Sequence, residues 1–126
     1  MPDEIINAKQ KVIEILFNEI EELIKLSSTY EYVAHEVMRL EKEGKDNNEL
    51  KTAAVNLTQD IKVKFNSLMF HIEAFDKRYL HVSNKDKDKL KQFKKEILSA
   101  AAPDTERLQE SVAIAYDAYL QIGIDD

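Results

Sequence analysis

Residues 5–50 read IINAKQKVIEILFNEIEELIKLSSTYEYVAHEVMRLEKEGKDNNEL, and the fold follows from how this stretch is punctuated. Apolar side chains recur every three or four positions through Ile6, Ile13, Leu16, Ile20, Leu23, Tyr30, Val33, Val37 and Leu40, the spacing of one helix face. At 100° per residue the apolar arc of the first half spans roughly 200°, wider than the stripe of an ordinary surface helix, so this helix is expected to meet more than one neighbour. Ser27, Ser28 and Thr29 make a poor helix interior, and Ser28 with Glu31 spells a capping box that could start a new helix. The apolar spacing crosses them without a phase change, which favours one long helix from Ile5 to Leu40.

Gly44 follows the last periodic residues as a helix-ending glycine, and Asp46 with Glu49 reads as a second capping box. A second helix is therefore expected from about Asn47 to Val82, with Leu50, Ala54, Leu57, Ile61, Phe65, Leu68, Ile72, Phe75 and Tyr79 on one face. The short connection makes the two an antiparallel hairpin in which residue i faces roughly residue 90 − i. After Ser83 and Asn84 a third helix, Lys85 to Ala101, is built on Leu90, Phe93, Ile97 and Leu98, and Pro103 ends or kinks it. A fourth begins near Asp104 and carries Leu108, Val112, Ala115, Tyr116, Tyr119 and Ile122 up to Gly123. The last two together match one arm of the hairpin in length. The expected fold is all-α: an antiparallel helical bundle of three long arms, the third broken at Pro103, four helices in total, in one domain over residues 1–126.

Composition agrees. With 126 residues the chain has one domain's worth of core, and 44% apolar with 33% charged residues suits amphipathic helices. Two glycines, two prolines and no cysteine leave too little turn chemistry for a β-sandwich or a loop-rich α/β enzyme. Both glycines are spent on helix ends, so none is left to cradle a phosphate or build a nucleophile elbow. The absence of cysteine removes disulfides, thiolate nucleophiles and Cys-ligated zinc. Residues 1–11, MPDEIINAKQK, lack the basic start and apolar run of a signal peptide, and no run approaches the ~20 apolar residues of a spanning helix. A soluble, cytoplasmic protein is expected.

Three histidines invite a metal reading, since Glu31 precedes His35 by a turn and Asp76 follows His71. In the hairpin register His35 faces about residue 55, sixteen residues and ~24 Å from His71, whereas ligands of one ion lie within about 2.6 Å of it. His71 and His81 are ~15 Å apart on one helix. Neither a metal nor any other cofactor is expected, nor a small-molecule substrate. A phosphorelay histidine would carry a lysine three residues on, but Met38 and Ala74 stand there.

The net charge of −6 conceals a segregation. Residues 1–49 and 96–126 each carry −6, residues 50–76 balance, and residues 77–95 carry +6 through Lys77, Arg78, Lys85, Lys87, Lys89, Lys91, Lys94 and Lys95 against Asp86 and Asp88. On the third helix Leu90, Phe93 and Ile97 form a narrow apolar strip flanked by Lys87, Lys89 and Lys94. Such lysines can lay their stems on apolar surface and keep the ammonium wet. Either acids such as Glu19, Glu21 and Glu22 or those of the last helix neutralise this segment internally, or it docks an acidic partner, a nucleic acid or an anionic membrane. Nucleic acid is the lesser branch, because only Phe93 and Tyr79 are near for stacking.

Val63 and Phe70, seven apart, point off the core stripe of the second helix. Their simplest use is contact with the third arm; otherwise they await a partner or a second copy. The functional expectation is a non-catalytic helical protein–protein interaction module, an adaptor, inhibitor, chaperone or assembly subunit, with partner-binding residues Val63, Phe70, Lys87, Lys89, Lys91, Phe93 and Lys94. The alternative is nucleic-acid or anionic-membrane binding through segment 77–95, and a composite enzyme site formed on oligomerisation comes third.

Overall fold

The computed structural model describes residues 2–122, with side chains from Ala8 onward. Four α-helices and no strand occur among them: α1 (Pro2–Lys42), α2 (Asn48–Phe75), α3 (Asn84–Ser99) and α4 (Thr105–Leu120). None is long and apolar enough to cross a membrane. Gly123 and the side chain of Ile6 lie outside the described residues.

α1 runs unbroken through Ser27–Thr29. The hydroxyl of Thr29 donates back to the Lys25 carbonyl at 2.9 Å, so the polar side chain is absorbed within the helix instead of starting a new one. The helix ends as expected at Gly44. Its φ of +68° lets the Lys45 N–H reach the Leu40 carbonyl at 2.9 Å and its own N–H reach Glu41 at 3.1 Å, the Schellman arrangement that glycine accommodates without Cβ strain. The box expected of Asp46 and Glu49 is not formed. Asp46 accepts the Asn48 N–H at 3.0 Å, Asn47 is the N-cap residue, and its side chain donates to the Val37 carbonyl at 3.2 Å, tying the turn to α1.

α2 does not continue to Val82. Its last turn widens into a π-helical turn over Asp76–Leu80, closed by His81 in the left-handed region at φ 55°. The His81 N–H reaches the Asp76 carbonyl at 3.0 Å, and the Asp76 carboxylate accepts the Val82 N–H at 2.7 Å. The chain is thereby turned into Ser83, whose hydroxyl caps α3 by accepting the Asp86 N–H. At the other end of α3, Pro103 precedes Asp104, which caps α4 through the Arg107 N–H at 3.2 Å.

The break at Pro103 is a full reversal, so α3 and α4 lie side by side and not end to end. Arg107 at the start of α4 pairs with Glu96 near the end of α3 at 3.1 Å, and its guanidinium sits 5.3 Å from the Phe93 ring centre. α4 packs on α1, with Phe17 and Tyr119 rings 6.1 Å apart, and α3 packs on α2. Each helix is antiparallel to the next and the first meets the last, an up-down-up-down ring of four. The core runs through it: Leu23, Ile61, Phe65 and Leu68 are wholly excluded from solvent, and Leu16, Leu80, Ile97 and Leu108 nearly so.

Because α3 and α4 have 16 residues each and α1 has 41, about 24 Å of short helix covers about 60 Å of long helix. The four-helix section reaches along α1 as far as Glu31. Beyond Glu31 the α1–α2 hairpin projects as a two-helix stalk, held by buried Val33 and half-buried Val37, Leu40, Leu50, Ala54 and Leu57, with Tyr32, Met38 and Val55 exposed.

Candidate functional site

The hairpin register brings Glu19, Ser67 and His71 together. Glu19 is buried, His71 Nδ1 donates to its Oε1 at 2.5 Å, and the Ser67 hydroxyl donates to its Oε2. Serine, carboxylate and histidine make a catalytic triad only when the imidazole stands between the other two and can take the serine proton. Here the carboxylate stands in the middle and satisfies both donors. Phe75 stacks on the imidazole and Phe70 meets it edge-on, each 5.6 Å between ring centres. The cluster is a polar tie between α1 and α2. His35 lies exposed on the stalk and His81 in the loop before α3, so the three histidines are not brought together. No group of three or more His, Cys, Asp or Glu that could hold a metal occurs among the described residues.

The basic segment is built differently from its sequence reading. Phe93 is 6% exposed and forms part of the core beneath Arg107, so its ring, expected at a partner surface, is unavailable to one. The periodicity of α3 alone shows it only as part of a thin strip; the cover comes from α4, which returns alongside α3. Lys87 is used internally: its Nζ lies 2.5 Å from the Asp76 carboxylate. Burial pushes the Asp76 carboxyl up, but the Lys87 hydrogen bond, the Val82 N–H and the charges of Lys87 and His81 outweigh it and hold the group below its ordinary range. Lys89 shares the flank that Glu96, seven residues on, turns toward Arg107 of α4, away from α2.

Lys91 and Lys94 remain on the α2 side with Lys77. They rim a groove between α2 and α3 of about 290 Å³, with Met69, Ile72 and Leu90 as its floor and Glu73 and the Asp76–Lys87 pair at its edge. Of the acids expected to neutralise this segment, the three of α1 are engaged elsewhere, and no ion pair brings Glu106, Glu110 or Asp117 of α4 to it among the described residues. Glu22 pairs with Lys64, Glu21 with Lys25, and Glu19 with Ser67 and His71. Among the described residues no ion pair reaches Lys77, Lys89, Lys91 or Lys94.

Val63 and Phe70 are 70% and 64% exposed. Their expected contact with the third arm is not made, because α3 packs on the flank of α2 bearing Met69 and Asp76 and leaves the outer face open. The periodicity singled them out as off the core stripe without saying which side α3 takes.

On the opposite side of the ring lies a seam between α1 and α4, lined in part by residues of the periodic face expected for the fourth helix. Ile24, Leu108, Val112 and Tyr116 line a groove of about 380 Å³ that ends at Ser28 and Glu31, where α4 begins. Phe17, Ile24, Tyr116 and Leu120 are each between 44% and 60% exposed along it. What exposes these side chains is that no further helix among the described residues covers the seam.

Compared with family models, curated proteins and solved structures, the chain has no match in any of the three.

Proposed function

We propose that the protein is a non-catalytic helical module that binds an acidic amphipathic helix of a protein partner in the groove between α2 and α3. The observation that supports this is the pairing of an apolar floor, Met69, Ile72 and Leu90, with a lysine rim, Lys77, Lys91 and Lys94, that no ion pair engages among the described residues, although Glu73 also lines the groove. An apolar stripe flanked by carboxylates would complement both parts at once, the stripe gaining affinity by leaving water and the charges setting orientation and encounter rate. The two rings of the basic segment offer no base-stacking platform: Phe93 is buried, and half-buried Tyr79 already carries the Arg78 guanidinium 5.8 Å from its ring centre. That weighs against nucleic acid as the partner of these lysines.

The test is fluorescence anisotropy with three probes: a labelled amphipathic peptide of leucine, alanine and glutamate, single-stranded oligonucleotides, and vesicles of anionic lipid. The peptide should bind the parent, and Lys91→Glu with Lys94→Glu should weaken it at least tenfold. Saturable binding of the vesicles or oligonucleotides with none of the peptide would replace this function by the polyanion reading.

A further inference from the structure

The chain itself supplies an acidic amphipathic surface. On α4 the row Gln109, Ala113, Tyr116 and Leu120 follows the four-three-four spacing of a packing seam, and its apolar members continue into Phe17 and Ile24 of α1. Exposed Glu106, Glu110 and Asp117 form the next row round the helix. No ion pair among the described residues engages these three acids. Glu110 and Asp117 are seven residues apart, a rise of ~10.5 Å along one row of α4.

Charge segregation within one molecule explains why the two surfaces do not neutralise each other. Segment 77–95 carries +6 and segment 96–126 carries −6, and the ion pair joining α3 to α4, Glu96 with Arg107, lies wholly within the second segment, so it neutralises none of the lysines of the first. The lysines and the acids are thus turned outward. In the ring order α1, α2, α3, α4, the α2/α3 groove and the α1/α4 seam lie on opposite sides.

We propose that a second copy of this chain occupies the groove: the acidic and apolar face of α4 in one protomer docks into the lysine-rimmed α2/α3 groove of the next, an inference that rests on the reading of that groove given above. The contact joins two different surfaces, so it is heterologous. The docked protomer still offers a free groove and the host a free α4, so assembly continues past the dimer to a ring or a filament.

Sedimentation velocity from micromolar to millimolar protein tests this, with two charge-reversed chains: Lys91→Glu with Lys94→Glu, and Glu110→Lys with Asp117→Lys. The parent should exceed two chain masses as concentration rises. Each variant alone, its helicity verified by circular dichroism, should sediment at the 14.6 kDa of one chain, since like charges then face each other. An equimolar mixture should regain assembly, because each chain now complements the other. A parent that stays at one chain mass throughout, a parent that stops at a dimer, or a mixture that does not reassemble overturns the proposal. A monomeric parent that still binds the acidic peptide through Lys91 and Lys94 removes self-docking and leaves the groove reading standing; a parent that does neither removes both.

Discussion

Replacing Asp76 by alanine should destabilise the protein by about 2–4 kcal/mol. The carboxylate accepts the Val82 N–H at 2.7 Å and Lys87 Nζ at 2.5 Å, and the residue is 8% exposed. A buried hydrogen bond to a charged group contributes about 1.5–3 kcal/mol. The Lys87 pair adds only ~0–1 kcal/mol, because the lysine side chain is 43% exposed and solvent screens it. Asp76→Asn keeps an oxygen for Val82 and loses the charge, so it should cost about 1 kcal/mol. Urea unfolding followed by circular dichroism measures both. The pH dependence gives an independent check. A carboxyl held below its ordinary value in the folded state contributes stability that is fully present above the unfolded value of about 3.9 and is lost as pH falls through the lower native value. The gap between parent and Asp76→Asn should therefore be constant near neutrality and narrow below about pH 4. A cost under about 0.5 kcal/mol for Asp76→Ala, or equal costs for alanine and asparagine, would refute the role assigned to Asp76 in closing the π turn.

Three further outcomes follow from the same structure. Glu19→Ala leaves the Ser67 and His71 donors without their acceptor and should lower the unfolding free energy by about 1–3 kcal/mol, read from urea unfolding, while Ser67→Ala alone should cost less. Phe93→Ala should cost about 3–5 kcal/mol as a core deletion, whereas the exposed pair Val63→Asp and Phe70→Asp should change stability by no more than about 0.5 kcal/mol each; thermal melts rank the two classes. Gly44→Ala meets no atom within 4 Å, so its cost, about 1 kcal/mol, should come wholly from the positive φ and show in the same melts.

What the sequence discloses is local or periodic. The apolar spacing specifies α1 across Ser27–Thr29, Gly44 specifies its end, and the loop length specifies a register in which i faces 90 − i. That relation pairs residue 19 with residue 71, the contact observed between Glu19 and His71. The π turn was not legible, because the Asp76 carboxylate that accepts the Val82 N–H and pairs with Lys87 leaves no periodic signal, and no glycine marks the left-handed residue at His81. Burial of Phe93 was hidden for a similar reason. Proline at 103 announces a break but not its angle, and only a reversal lays Arg107 over that ring. The lysine segment was legible as charge, whereas the division of labour within it, Lys87 inward, Lys89 toward α4, Lys91 and Lys94 at the groove, depends on which flank of α3 meets α2.

Chemical-shift mapping tests the central claim most directly, since it reports where an occupant sits as well as whether it binds. Titrating the isotope-labelled protein with the acidic amphipathic peptide should shift the methyl resonances of Met69, Ile72 and Leu90 and the amides of Lys91 and Lys94, leaving the stalk residues Val33 to Leu57 unmoved. Shifts confined to the stalk or to the α1/α4 seam, or no shifts at millimolar peptide, would contradict the assignment of the α2/α3 groove as the binding surface.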